Sequence, residues 1–217
     1  MDDNPFLQEL EAFKAERLHP ILGAGLTSLA DGASAEPTQL LQIALANEVG
    51  VSELAAAWMP STREMDVKLA FARQAGDEAA HFQLVAERLT ALGFDVDAFR
   101  MPAESPLFVY LRALSTTVER VAAGLFTLES IAYAVNENFM TFCQGRGDVE
   151  TVRIYREYIQ PDERAHQLLG RKLLGKYART PELQAAARTT VGAVLEIAAA
   201  ARTQAALRLG SACFPGC

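Results

Sequence analysis

A chain of 217 residues that is 50% hydrophobic carries enough apolar side chains for one domain with a sizeable core. Its formal net charge of −7 argues against a broad surface for nucleic acid or anionic lipid, and only Arg171, Lys172 and Lys176 leave room for a local basic patch. No run of about 18 uninterrupted apolar residues occurs, and Met1-Asp2-Asp3-Asn4-Pro5 is acidic where a secretory signal would be basic, so a cytoplasmic protein with no membrane partner is expected.

In chain order the pattern is helical, with almost no strand signal. Asn4-Pro5 reads as an N-cap and first helical residue of a short helix to about Arg17. His19 to Glu36, rich in Gly, Pro, Ser and Ala, is expected as an irregular loop or a short helical detour. Helix 1 is then expected over about Pro37 to Met59 and helix 2 from about Thr62 to Leu92, stopped by Gly93. Ser105-Pro106 caps a helix 3 that should run to about Cys143. Asp148 caps helix 4, which runs to about Arg179, and Thr180-Pro181-Glu182 opens a fifth, amphipathic helix to about residue 210. Turns of about three and four residues make helices 1 and 2, and helices 3 and 4, antiparallel hairpins. Phe94 to Glu104 can extend to about 35 Å, enough to cross the full height of a bundle and start helix 3 parallel to helix 2. The cysteines, Cys143, Cys213 and Cys217, lack the C-x-x-C spacing of a zinc or rubredoxin centre; free thiols are expected over a Cys213–Cys217 disulfide.

Two of the three histidines sit in one repeated frame, Asp77-Glu78-Ala79-Ala80-His81 and Asp162-Glu163-Arg164-Ala165-His166. On an α-helix a Glu and a His three residues apart share a face about one turn apart, so Glu-x-x-His can place a carboxylate oxygen and an imidazole nitrogen on one metal ion. A duplicated pair suggests two ions. A dimetal site in a helical bundle needs one further Glu from each of two other helices. Glu48 lies 30 residues before Glu78 and Glu129 lies 34 before Glu163, which sets each about level with its partner across the intervening turn. Glu53 lies too near its turn, Glu137 too late and Glu119 too early. The expected ligands are therefore Glu48, Glu78, His81, Glu129, Glu163 and His166, and catalysis would act through them.

With these residues in place, the chain resembles the ferritin-like superfamily of carboxylate-bridged di-iron proteins, over about Pro37 to Arg179. The resemblance implies an all-α, ferritin-like four-helix bundle with one long crossover. It would be a single domain over 1–217, with the metal-binding bundle at about 37–179, an N-terminal arm at 1–36 and a C-terminal helix at about 181–210. Asp-Glu-x-x-His in both halves looks like the oxygen-activating branch. The text Asp77 to Gly93 (DEAAHFQLVAERLTALG) is similar to small ferritin-like proteins related to the tRNA-modifying hydroxylase MiaE. The resemblance implies two iron ions, or an iron–manganese pair, with O2 as cosubstrate. It also implies that Asp77 accepts the free ring N–H of His166 and Asp162 that of His81.

One turn from the ligands the residues are mostly apolar or small, so a pocket for a small organic substrate is expected around Ala44, Ser52, Phe126, Tyr133 and Gly170. The leading expectation is a di-iron oxidoreductase, monooxygenase-like, that takes electrons from an external donor and oxidises a small, fairly apolar substrate; a homodimer is compatible. Two alternatives stay open: a ferroxidase or rubrerythrin-like iron- or peroxide-handling protein, and a structural metal-bound interaction module.

Overall fold

A computed structural model describes residues 4–30 and 35–216. The acidic start Met1 to Asp3, part of the expected 19–36 loop, and Cys217 with its pairing to Cys213 lie outside the described residues. Among the described residues there are seven helices and no strand: α1 (Pro5–Ala30), α2 (Pro37–Ser61), α3 (Met65–Ala91), α4 (Pro106–Ala113), α5 (117–145), α6 (149–177) and α7 (Pro181–Leu209). Two of them widen into π-helical turns, α5 over Ala122–Leu128 and α6 over Tyr155–Ile159.

Two sequence expectations need correction. Helix α1 does not stop near Arg17 but continues through Pro20 to Ala30. Pro20 removes one backbone bond, yet Leu18, Ile21 and Gly25 prolong the buried stripe of Leu7, Leu10 and Lys14, and that packing outweighs the lost bond. The expected helix 3 is broken at Leu114 to Thr116, so Pro106–Ala113 is a separate short helix. Thr116 turns extended and forms a capping box with Glu119: the Thr116 hydroxyl accepts the Glu119 N–H at 3.3 Å and the Glu119 carboxylate accepts the Thr116 N–H at 3.0 Å.

Contacts at the two ends of the bundle fix the topology. At one end the α2–α3 turn meets the start of α5, where Thr117 Oγ1 donates to Glu64 Oε2 at 2.5 Å and Arg120 Nη1 to Ser61 Oγ at 2.8 Å. Lys176 and Tyr177, at the end of α6, both bond Asp66 there. At the other end Arg88 of α3 pairs with Asp148 at 2.6 Å and Thr151 at 2.9 Å, at the start of α6. Helix α5 therefore starts beside the start of α3, and the connection through α4 spans the bundle's height. Helices α2–α3 and α5–α6 are antiparallel hairpins, with α1 and α7 packed on their outside.

The apolar core falls into two clusters. One gathers Leu54, Trp58, Phe71, Val121, Leu125 and Leu174 with α1 and α7; the other gathers Leu40, Leu45, Val85, Leu89, Phe139 and Tyr155. On α2, α3 and α6 the change from one to the other falls across Glu48, Glu78/His81 and Glu163/His166. The C-terminal tail closes on the second cluster. Gly210 reverses α7 at positive φ, Cys213 and Phe214 are buried, and Arg202 donates to the carbonyls of Phe214 (2.6 Å) and Gly216 (2.8 Å). Among the described residues Cys143 and Cys213 form no disulfide, and both are buried in that cluster.

Helices α5 and α6 approach closely at Gly170, where an added Cβ would stand 2.6 Å from the Leu125 carbonyl carbon and from the Phe126 nitrogen. Backbone cannot move aside as a side chain can. Gly170→Ala is therefore expected to lower unfolding free energy by about 3 kcal/mol in denaturant titration. A change within experimental error would show that the two helices have room to part.

Candidate metal centre

Each of the four bundle helices brings a donor to one level: Glu48 from α2, Glu78 and His81 from α3, Glu129 from α5, Glu163 and His166 from α6. All six are buried, none more than 5% exposed. They form two overlapping groups, Glu48, Glu78, His81 and Glu163 in one and Glu78, Glu129, Glu163 and His166 in the other, with the donor atoms of each group within 4.8 Å of one another. Glu78 and Glu163 belong to both. Glu78 spans the site, its Oε2 lying 3.4 Å from His81 Nδ1 and its Oε1 3.6 Å from His166 Nδ1. Glu48 completes the His81 side at 3.6 Å and Glu129 the His166 side at 3.6 Å.

The far ring nitrogens are held across the bundle, His166 Nε2 at 3.0 Å from Asp77 and His81 Nε2 at 3.4 Å from Asp162. An aspartate can only accept at neutral pH, so each contact favours the Nε2–H tautomer and turns the Nδ1 lone pair toward the carboxylates. Both Nδ1 atoms, Glu78 Oε1 and Glu163 Oε2 have no hydrogen-bond partner. Buried polar atoms are seldom left so, and a converging set of unpaired nitrogen and oxygen donors fits a divalent cation. These residues can hold metal.

Without a cation the same groups must share protons. Burial, then the charge of Glu129, holds the carboxyls of Glu78 and Glu163 well above the usual range. For Glu129 burial also works upward, but the facing Glu163 carboxyl and the His166 imidazole outweigh it and keep the group low. Burial lowers both imidazoles, yet the facing carboxylates of Glu48 and Glu78 raise His81 to about 11, and that of Glu129 raises His166 to about 9.

The carboxylates set aside from the sequence lie elsewhere. Glu53 pairs with Arg112, Glu119 caps α5, and Glu137 accepts from Gln160. Of the five expected pocket residues, Gly170 meets the Phe126 backbone, and each has contacts of its own. Ala44 is buried in the second core cluster, the Ser52 hydroxyl donates to the Ala75 carbonyl at 2.7 Å, and the Phe126 ring lies under the Lys14 ammonium at 3.6 Å. Tyr133 is half-buried with Arg164 over its ring, and Gly170 occupies the helix contact described above.

Three further groups lie near the site, of which the sequence places only Gln74, one turn from the expected ligands. The Gln74 side-chain amide donates to Glu129 Oε1. Lys14 of α1 is buried and bonds Ser130 Oγ at 2.8 Å and Glu11 at 2.8 Å; burial lowers its pKa and Glu11 opposes that. Tyr155 is buried with an unpartnered hydroxyl. Gln74 stands one turn before Glu78 and was legible as a neighbour of the site, whereas Lys14 and Tyr155 depend on tertiary packing.

Compared with known protein families, curated proteins and solved structures, the chain matches none. Helix α2 is the one helix among the described residues long and apolar enough to cross a membrane, and half of its apolar window is buried inside the bundle, where it carries Glu48.

Two outcomes are expected. Asp77→Asn and Asp162→Asn leave every cluster donor in place, so each variant should retain metal while its affinity falls about 10- to 100-fold in competition with a chelator. Complete loss of metal would make that Asp a ligand. The second concerns pH. A histidine whose folded pKa lies above its ordinary 6.5 stabilises the fold below that value and loses the contribution as pH rises through about 9 for His166 and about 11 for His81. The raised carboxyls of Glu78 and Glu163 act in the same direction from lower pH. Zinc in place of those protons removes the dependence, so the gap in melting temperature between zinc-loaded and EDTA-treated protein should widen from about pH 7 to about pH 10. A narrowing gap would contradict proton sharing in the cluster.

Proposed function

We propose that this chain is a ferritin-like, carboxylate-bridged di-iron oxidoreductase that reduces O2 and hydroxylates or otherwise oxidises a small, fairly apolar organic molecule, with electrons from an external donor. The observation that carries the reading is the convergence of two buried Glu-x-x-His pairs and two further glutamates, with both Nδ1 atoms unpaired and both Nε2 atoms held by an aspartate from the opposite half.

In this reading Glu48 and His81 hold one ion, Glu129 and His166 the other, and Glu78 and Glu163 lie between them. An iron–manganese pair meets the same donor set. Bound there, the metals supply the redox chemistry of O2 reduction. The remaining work belongs to the protein. Four carboxylates offset the charge of two divalent ions, so the apolar bundle carries little net buried charge. Asp77 and Asp162 fix the imidazole tautomers, and Gln74 restrains the Glu129 carboxylate through its Oε1. The apolar clusters on either side keep bulk water from a strong oxidant.

Support for organic oxidation over iron handling comes from α5. Leu125, Phe126 and Ala132, about one turn from Glu129, are buried and apolar, so this helix offers no further carboxylate to pass Fe(II) through. Nor does a purely structural role call for two donor groups, since one ion in either group would already cross-link three of the four helices.

Anaerobic loading with Fe(II) should give two ions per chain by elemental analysis. Ala replacement of Glu78 or His166 should reduce that count, while Glu53→Ala, which alters an exposed side chain, should not. The loaded protein should then consume O2 in proportion to oxidation of a compound in a metabolite pool. Sustained turnover of excess Fe(II) with no organic product would establish iron handling, and two bound ions with no O2 consumption would establish a structural site.

A further inference from the structure

The second core cluster is apolar except at one point. Tyr155 is 1% exposed, its ring packs edge-on to Phe139 with centroids 5.0 Å apart, and its hydroxyl has no hydrogen-bond partner. The groups whose charges bear on it are Glu48, Cys143 and Glu163, and burial followed by the Glu48 charge holds its pKa well above the ordinary tyrosine value. Tyr155 packs in one cluster with Ala44 and Leu45, about one turn from Glu48, and with Ile159, one turn before Glu163, which sets it on the Glu48–Glu163 side of the donor cluster.

The π-helical turn puts it there. Tyr155 precedes Glu163 by eight residues, which on an unbroken α-helix would set it about 80° off the Glu163 stripe. One residue absorbed by the wide turn Tyr155–Ile159 reduces the effective spacing to about seven and returns Tyr155 to within about 20° of that stripe. Arg156, seven residues before Glu163, would occupy the inward position without the wide turn; it is exposed. The helix thus departs from α geometry at the point where the departure exchanges an arginine for a phenol facing the cluster.

A buried hydroxyl without a partner is destabilising by about 1–3 kcal/mol relative to a satisfied one, so such groups are rare unless something else supplies the partner. Neighbouring protein atoms do not. Its ring is surrounded by hydrocarbon, and the lone pairs of Glu48 and Glu163 are committed to metal in the reading given above.

We propose that the Tyr155 hydroxyl donates a hydrogen bond to a small exogenous ligand seated at the dimetal centre on its Glu48–Glu163 side, and so selects ligands that present an acceptor oxygen or nitrogen there. The inference rests on the dimetal reading and adds to it a ligand position and its polarity. The phenol bonds the ligand's terminal acceptor atom, and Phe139 limits the length of what fits.

Azide is the probe, on protein loaded with cobalt(II) so that no turnover intervenes. Two cobalt ions per chain should bind, azide should perturb their visible bands, and Tyr155→Phe should weaken azide by about tenfold while leaving cobalt content unchanged. Fewer than two cobalt ions would remove the dimetal reading and this inference with it. Two ions with equal azide affinity in both proteins would remove the inference alone, as would cobalt bands that ignore azide. An independent measurement uses zinc-loaded protein carrying 3-fluorotyrosine. One of the five fluorine resonances, assigned to Tyr155 by its loss in Tyr155→Phe or by elimination with the other four Tyr→Phe variants, should shift as azide saturates. If it stays in place at saturation, followed by the azide infrared stretch, the hydroxyl bonds something other than the ligand and the inference fails.

Discussion

Four carboxylates and two imidazoles buried within a few ångströms of one another are the constraint to which the rest of the fold answers. An ionised carboxylate taken out of water costs several kcal/mol even after relaxation, and like charges at this separation add to that. Protons relieve the burden in part, which is why two of the glutamates and both histidines are pushed upward. Two divalent cations relieve it fully. A bundle that keeps these groups must therefore supply donors at one level from four helices, hold their outward nitrogens, and deny them water.

Helix geometry satisfies the first demand at little expense. Two hairpins with short turns bring Glu48 level with Glu78 and Glu129 level with Glu163, and the long connection through α4 reverses the direction needed to set the hairpins side by side. Cross-bundle contacts satisfy the second. Asp77 and Asp162 sit next to Glu78 and Glu163 in sequence but on adjacent faces, so each serves the histidine of the opposite hairpin and ties the hairpins together. The outer helices serve the third. Lys14 of α1 reaches Ser130, the residue after Glu129, and the tail after α7 is drawn over the second cluster by Arg202. Burying the Lys14 ammonium is offset by Glu11 and the face of Phe126.

The donor cluster was legible in the sequence because it depends only on the rise and repeat of an α-helix, which are the same in every protein. Counting from Glu78 and Glu163 across short turns locates Glu48 and Glu129 without knowledge of packing. Caps were legible for a similar reason: Ser105, Asp148 and Thr180 each accept from the backbone N–H three residues on. The break before Thr116 was written in its Thr-x-x-Glu box, but the apolar run on either side concealed it. The course of α1 through Pro20 and the two wide turns were not legible, because local sequence opposes or ignores them. Along α1 and at the wide turn of α5 the packing is close: Gly25 meets Asn138, Gly124 meets the Trp58 ring, and Gly170 of α6 meets the Leu125 carbonyl. Each is a property of two helices meeting.

The sequence repeat suggests two equivalent half-sites, yet the structure makes them unequal. Among the described residues the wide turns occur only in α5 and α6, so the second hairpin deviates from α geometry where the first does not. Glu129 is restrained by the Gln74 amide, while a phenol bears on Glu48 from the opposite core cluster. His166 is held at 3.0 Å by Asp77, His81 at 3.4 Å by the more exposed Asp162, and the two imidazoles differ by about two in pKa, about 9 against about 11. In the proposed dimetal centre the two positions would differ in donor strength and in what lies beside them. The duplicated donors explain how the chain could hold two ions; the unequal surroundings make the two positions chemically distinct.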